Sequence, residues 1–458
     1  MSTVVKRSIL LAILALSPLA NSGAAFAADV DDPLDVCRHK ILLNPSDPEP
    51  YYNRALWYGR LNNDPKSLED YNKCISLDPN MTSAYANRGN CYYRLGKFEL
   101  ALRDFNKAIA LAPEKSNYYY NRACLHRAMN DLKGAMDDFN VAVQLEPGNA
   151  LMLEARADLL LHNGRNQAAI ADYNLALERN PKRAELFNKR GSAFFEMKKY
   201  AQALADFEDS IKLDPANPLS YYNRATAEQK LKNYKACMQD YGRAISLDAN
   251  KCEPFASRAK AFYEQGQYKN ALADFDVAIK LDAKRGDLYH ARGCTYLALG
   301  QDAEAADDST KAISLKASVN AARWNRAAAY ISMKRYDKAL DDMEEVIKTE
   351  PNNAMAYNNR ADVYNNLGKA DLALADCNQA LKIDPACSAA YATRAEAEEK
   401  LSQYAPAVKD FDKFIQANPR FAAAYVSRSK CYEKMNRWDL SAKDRQIAEK
   451  LGYKDSFK

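Results

Sequence analysis

An arginine recurs every 34 residues along most of this 458-residue chain, and an aspartate follows each one sixteen residues later. The arginines are Arg54, Arg88, Arg122, Arg156, Arg190, Arg224, Arg258, Arg292, Arg326, Arg360, Arg394 and Arg428. Their companions run in the same step from Asp70, Asp104, Asp138, Asp172 and Asp206 to Asp444. Guanidinium and carboxylate in equal number and one frame suit bidentate pairing better than a basic stripe for an anion. The pattern therefore predicts a structural ion-pair ladder, represented by Arg54, Asp70, Arg88, Asp104, Arg122, Asp138, Arg190 and Asp206. Spacing alone leaves open whether the partners share a repeat.

Other chemistry is sparse. The four histidines, His39, His126, His162 and His290, are scattered without ligand spacing, so neither a metal site nor histidine acid–base chemistry is expected. Gly89 and Gly96-Lys97 only superficially suggest a phosphate loop, because six residues separate the glycines and Phe98 follows the lysine. Asn80-Met81-Thr82 is a lone glycosylation sequon. Of the ten cysteines, Cys74, Cys91, Cys237, Cys377 and Cys431 stand where sister repeats hold alanine or apolar residues, which predicts buried thiols. Cys74 and Cys91 are the best placed for a disulfide. Lysine and arginine exceed the acids by only 5, with the signs interspersed, so nothing electrostatic favours nucleic acid or an anionic membrane. No catalytic residue, metal or cofactor is expected, and the chain reads as not an enzyme.

The elements that must carry these residues follow from the period. Residues 48–455 divide without insertion into twelve 34-residue repeats: 48–81, 82–115, 116–149, 150–183, 184–217, 218–251, 252–285, 286–319, 320–353, 354–387, 388–421 and 422–455. Within each, places 4, 8 and 11 and places 20, 24 and 27 are spaced i, i+4, i+7, which gives two amphipathic helices. Places 8 and 20 are small throughout, as in Ala55, Gly89, Ala101 and Ala135, so the helices can approach closely. A proline at place 32 ends most repeats, including Pro79, Pro113 and Pro351. Each repeat is thus a helical hairpin that stacking must complete.

Aromatic-x-x-x-small, Leu-Gly at Leu95-Gly96 and Leu299-Gly300, then aromatic, alanine and proline in register resemble the tetratricopeptide repeat (TPR) family. Asn-Arg-Gly/Ala at Asn53-Arg54-Ala55 and Asn87-Arg88-Gly89 points to one subtype. The resemblance implies an all-α fold, a TPR-type α-solenoid in which antiparallel helix hairpins form a right-handed superhelix with first helices lining a concave groove. It also implies groove-facing places 2, 5, 9, 12 and 13. Carried onto this sequence, these give Tyr52, Arg60, Tyr93, Arg94, Tyr120, Arg127, Phe195, Tyr222, Tyr263 and Trp324 as candidate ligand-binding residues, with packing against neighbouring helices as their alternative role. The lysine, asparagine and arginine clamp of the chaperone-binding relatives is missing from the corresponding places.

The ends differ from the array. Lys6 and Arg7, the apolar run Ile9–Leu16 and Ala25-Phe26-Ala27 read as a secretory signal peptide, residues 1–27, with an uncleaved anchor as the alternative. Residues 28–47 resemble a capping half-repeat, and 456–458 form a tail. The expected function is an exported repeat scaffold or adaptor, periplasmic or extracellular, that binds a protein or peptide segment in bacterial envelope assembly. A glycan-binding module for peptidoglycan or exported polysaccharide is the alternative. Repeat eight departs furthest from the pattern, with Thr295, Asp302 and Ser309 at usually apolar or aromatic places. Ala249, Ala283 and Ala317 replace the terminating proline in repeats six to eight, so a hinge near residues 283–324, beside Trp324, is expected.

Overall fold

A computed structural model describes residues 32–453. The signal peptide and the 456–458 tail assigned from the sequence lie outside the described residues. Twenty-five α-helices and no strand occur among them, and the protein is an all-α TPR-type solenoid of antiparallel hairpins. The helices fall into two compact blocks, one ending at Asn233 and the other beginning at Tyr234. The first block contains a leading helix, Pro33–Leu43, both helices of repeats one to five, and the first helix of repeat six, Pro218–Lys230. The second contains the remaining helix of repeat six, Tyr234–Leu247, and repeats seven to twelve, ending with Trp438–Lys450.

The hairpin turn is the most regular feature. Place 15 has positive φ in all twelve repeats, as in Gly96 (70°), Gly164 (73°) and Asn130 (63°). Such a residue closes a helix, and the following amides turn back to it: Gly96 N donates to Tyr93 O at 3.0 Å and Lys97 N to Tyr92 O at 2.8 Å. Glycine adopts this conformation without steric cost and asparagine at little, so the leucine-glycine and methionine-asparagine pairs stop the first helix.

Small residues then set how closely the hairpin closes. Phe105 and Phe207, each about 1% exposed, lie against Gly89 and Gly191, where an added Cβ would stand 2.8 Å and 2.6 Å from the ring. Ala101 and Ala108 are fully buried on either side of Phe105. Burying such a ring stabilises by about 2–3 kcal/mol, so this close approach is a main source of cohesion within a repeat. The leading helix starts at a proline, with Asp32 accepting from Leu34 N at 3.1 Å, and it buries Cys37. Ile41 packs on the Tyr51 cluster, whereas Leu42 and Leu43 remain exposed.

The ten cysteines are free thiols, and Cys74, Cys91, Cys237, Cys377 and Cys431 are buried. Burial pushes Cys74 up to about 11 and Cys91 up to about 12. At the end of repeat eight, Lys316 and Ser318 adopt positive φ (56° and 45°), where the corresponding turns elsewhere use none. Repeats six and seven also carry alanine in place of the proline, at Ala249 and Ala283, yet their turns have no positive φ, so the left-handed turn is particular to repeat eight. The junction is close-packed: a Cβ on Gly286 would stand 2.5 Å from that of Ala317.

Candidate functional site

Two sides of the first helices carry different chemistry. The side turned to the second helix holds the ladder, and its bonds form within a repeat. Arg88 donates from Nε and Nη2 to the two carboxylate oxygens of Asp104 at 2.8 and 2.7 Å. Ten further repeats show the same fork, including Arg54–Asp70, Arg122–Asp138 and Arg190–Asp206. Arg224 and Asp240 stand on either side of the division between blocks. In eight repeats the guanidinium makes a third bond from Nη1 back to place 25 of the preceding repeat. Examples are Arg88 to Asn72 at 2.7 Å, Arg122 to Asn106 at 2.7 Å and Arg394 to Asn378 at 2.8 Å. The place-4 ring flanks the same group, 5.6 Å away for Arg88 over Tyr85. Where all three bonds form, the arginine closes its own hairpin and fastens it to its predecessor, and its donors are committed to the array rather than to a ligand.

The groove candidates stand at other places of the first helices, and most have a packing partner. Place-5 rings rest on place-24 rings of their own repeat, Tyr52 on Tyr71 (centroids 6.0 Å) and Tyr120 on Phe139 (5.8 Å). Place-12 rings rest on place 17: Tyr93 on Phe98, Phe195 on Tyr200 and Tyr263 on Tyr268, at 6.0, 5.4 and 5.3 Å. Tyr52 also accepts from Asn87 Nδ2 of the next repeat at 2.9 Å. Trp324 is half-buried against the cluster of Ala327, Ala339 and Met343. Tyr222 is half-buried, with its carbonyl accepting from Thr226 Oγ1.

The arginines divide. Arg60 is exposed and lies 4.6 Å from the Trp57 ring centroid. Arg94 forms a fork on Asp64 of the preceding repeat, with a third of its side chain exposed. Arg127 is half-buried, and among the described residues no carboxylate pairs with it. It stands beside Tyr93, Tyr120 and Cys124: burial raises all three groups, and the Arg127 charge pulls the other way on each. The structure thus brings Tyr93, Tyr120 and Arg127 together, and distributes the other candidates over separate repeats.

Screening for aromatics and arginine missed polar residues at the same places. In repeats four and five, Lys189 Nζ donates to Glu154 at 2.7 Å and to Asp158 at 2.8 Å, and Tyr173 donates to Asp158 at 2.6 Å. In repeats ten and eleven the places hold Asn358, Asp362, Asn365, Glu396 and Glu399. The register alone, applied without regard to residue type, finds Glu154, Asp158 and the group in repeats ten and eleven, but not Lys189, which stands at place 6.

One constellation has a catalytic look. Asn325 Nδ2 donates to Cys294 Sγ at 3.0 Å and lies 3.4 Å from His290 Nδ1, while the thiol is 3.9 Å from His290 Nε2. Burial raises Cys294 and lowers His290, so thiol and imidazole are both held neutral. Nucleophilic activation requires the opposite, a thiolate–imidazolium pair. No group of three or more His, Cys, Asp or Glu side chains among the described residues is arranged to hold a metal, and no described helix is long and apolar enough to cross a membrane.

Sequence models of the tetratricopeptide repeat match residues 48–81, 82–115, 120–184, 219–251, 286–318, 321–353 and 354–387, and one described as a TPR repeat matches 191–232. Repeats seven, eleven and twelve lie outside the matched residues. No curated protein matches the chain by sequence. Among solved structures, the chain is similar to YrrB, described as a TPR protein with an unusual peptide-binding site. That likeness is 22% identical over 41% of this chain and 96% of that one, with TM-score 0.36. It is similar to yeast Tom70 at 16% identity over 88% and 92% (TM-score 0.38), and to the APC/C hetero-tetramer Cut9-Hcn1 at 12% over 92% and 90% (TM-score 0.45).

Proposed function

This chain carries tetratricopeptide repeats, and we propose from them that it is an exported, non-enzymatic scaffold or adaptor that binds a protein or peptide segment on its first helices, in bacterial envelope assembly. The repeats are a scaffold fold that generally binds proteins or peptides without catalysis. Export rests on the basic, apolar and small-residue succession of residues 1–27.

The observation that carries the reading is the Tyr93, Tyr120 and Arg127 group. Desolvating a guanidinium without an acid is unfavourable, and Arg127 is the groove arginine left in that state. A peptide carbonyl or carboxylate laid between the two phenols would satisfy it, and the ring faces would take up apolar parts of the segment.

The test places a photo-crosslinking amino acid at position 120 of the full chain, exported in a bacterial host. Capture of a discrete protein, weakened about tenfold by Arg127→Ala, is expected. Binding confined to peptidoglycan fragments or exported polysaccharide in a glycan screen, with no protein captured, would overturn the reading.

A further inference from the structure

The first-helix side changes character at repeats ten and eleven. On helix Ala354–Asn366, Asn358, Asp362 and Asn365 are four and three residues apart and so form one stripe about 10 Å long. Glu396 and Glu399 continue it on the adjacent first helix, Ser388–Lys400. Ala389 and Ala392, at places 2 and 5 of that helix, add little bulk beside it.

Acceptors outnumber donors here. Among the described residues, Asp362, Glu396 and Glu399 form no ion pair. Lys400 is the one cation acting on all three, and its Nζ is already bonded to the Asn365 carbonyl at 2.6 Å; Lys430 acts on Glu399. Burial raises each carboxyl, and Asp362 and Glu399 add like-charge repulsion on Glu396.

Two amide oxygens in the stripe are buried and unpartnered. Asn365, 3% exposed, donates from Nδ2 to the Thr393 carbonyl at 2.9 Å, one turn before Glu396, and its Oδ1 has no donor. Flipping that amide would set oxygen against oxygen. Asn358, 6% exposed, donates to Asn359 at 3.1 Å and its Oδ1 is likewise without a donor. Buried acceptors of this kind call for a donor, and the acids beside them call for a positive one.

We propose that repeats ten and eleven take a lysine or arginine side chain of an extended partner segment, whose N–H groups meet Asn365 Oδ1 and the carboxylates of Asp362 and Glu396. This rests on the peptide-binding reading above and adds the chemistry of the segment. A segment fits better than a free amine because the stripe extends beyond the reach of one ammonium group. A guanidinium, with five donors in a plane, matches several acceptors at once.

Fluorescence anisotropy of the full chain with a labelled, end-blocked peptide of alternating arginine and glycine, carrying three arginines, tests this against spermidine of equal charge. The peptide binds, and the isosteric pair Asp362→Asn with Glu396→Gln weakens it about tenfold, as two lost charged contacts would. Glu304→Gln with Asp307→Asn, both exposed on helix Asp302–Ser314, leaves binding unchanged. Equal weakening by the two pairs, or spermidine displacing the peptide at matched concentration, would overturn the proposal. If the peptide does not bind while position 120 still crosslinks a protein, this inference fails and the peptide-binding reading stands; if neither occurs, both fail.

Discussion

Repeats two and three and repeats ten and eleven share a backbone plan and a ladder, yet carry opposite chemistry at the groove places of their first helices. Behind both faces the same fork closes the hairpin, Arg122 on Asp138 in one and Arg394 on Asp410 in the other, each with a third bond to an asparagine of the repeat before. At the groove places, the first region has an unpaired Arg127 whose charge acts on Tyr93 and Tyr120, whereas the second has Asp362, Glu396 and Glu399 with two amide oxygens that lack donors. The stacking surface tolerates one solution and repeats it. Residues at the groove places are not held to one solution, and they diverge.

The strongest way to break this contrast is to cut the ladder in both regions. Arg122→Ala and Arg394→Ala each strand an aspartate about 5% exposed, and each is expected to destabilise by about 3 kcal/mol, the usual cost of breaking a buried pair from one side. Urea unfolding of the full chain measures it. Costs that differ several-fold would mean that the ladder is not the shared element.

Next in size is a packing contrast at place 8. Gly89→Ala forces Phe105 to shift and is expected to cost about 2 kcal/mol, as overpacking does. Gly293→Ala, whose nearest neighbours stand at 3.5 Å, is expected to be neutral or to gain up to about 1 kcal/mol from helix propensity. Thermal melts of the two variants compare them directly.

The acids of the two regions shift in opposite directions. Burial raises Glu398 to about 7, so the native state holds its proton more tightly than the unfolded chain. Its contribution to stability is complete below about 4.5 and is lost as pH rises through about 7. Hydrogen bonds from Asn149 and Ser116 lower Glu146 in repeat three, so its contribution is present above about 4.5 and is lost on acidification. Glu398→Gln should therefore raise stability at pH 8 by on the order of 1–2 kcal/mol and do little at pH 4, and Glu146→Gln should lower it at pH 8. Urea midpoints across pH 4–8 give the slopes.

The smallest effect concerns the junction after repeat eight. Ser318→Gly relieves a left-handed serine and is expected to stabilise by about 0.5–1 kcal/mol despite added chain entropy. Hydrogen exchange over helix Val319–Ser332 should slow accordingly. Faster exchange would show that the turn favours serine.

The period, the paired helices and the small places at 8 and 20 were readable in the sequence because stacking admits few alternatives at those positions. The frame also placed Arg and Asp together, but it was silent on the third bond to place 25, where Asn72, Thr310 and Asp412 share only a polar atom at the right reach. The first-helix face was harder to read. Tyr93 and Phe195 pack on the ring at place 17, and an aromatic residue type suits such packing and ligand contact equally, so it does not separate the two uses. Asn365 looked unremarkable because what distinguishes it is a missing donor, which only the packed neighbours reveal. The left-handed turn at Ser318 was not readable, because Ala249 and Ala283 replace the same proline without producing one.

That third bond gives the array a direction. Arg88 reaches back to Asn72, never forward to the repeat that follows, and Arg122, Arg190 and Arg394 do the same. A newly made repeat thus finds both halves of its fastening already in existence, its own aspartate and the polar residue left ready by the repeat before. Synthesis from the amino end adds units in the order in which they can be secured. Deleting repeats from the carboxyl end removes whole fastenings and leaves the remaining ones intact, while deleting them from the amino end strips one bond from the first survivor.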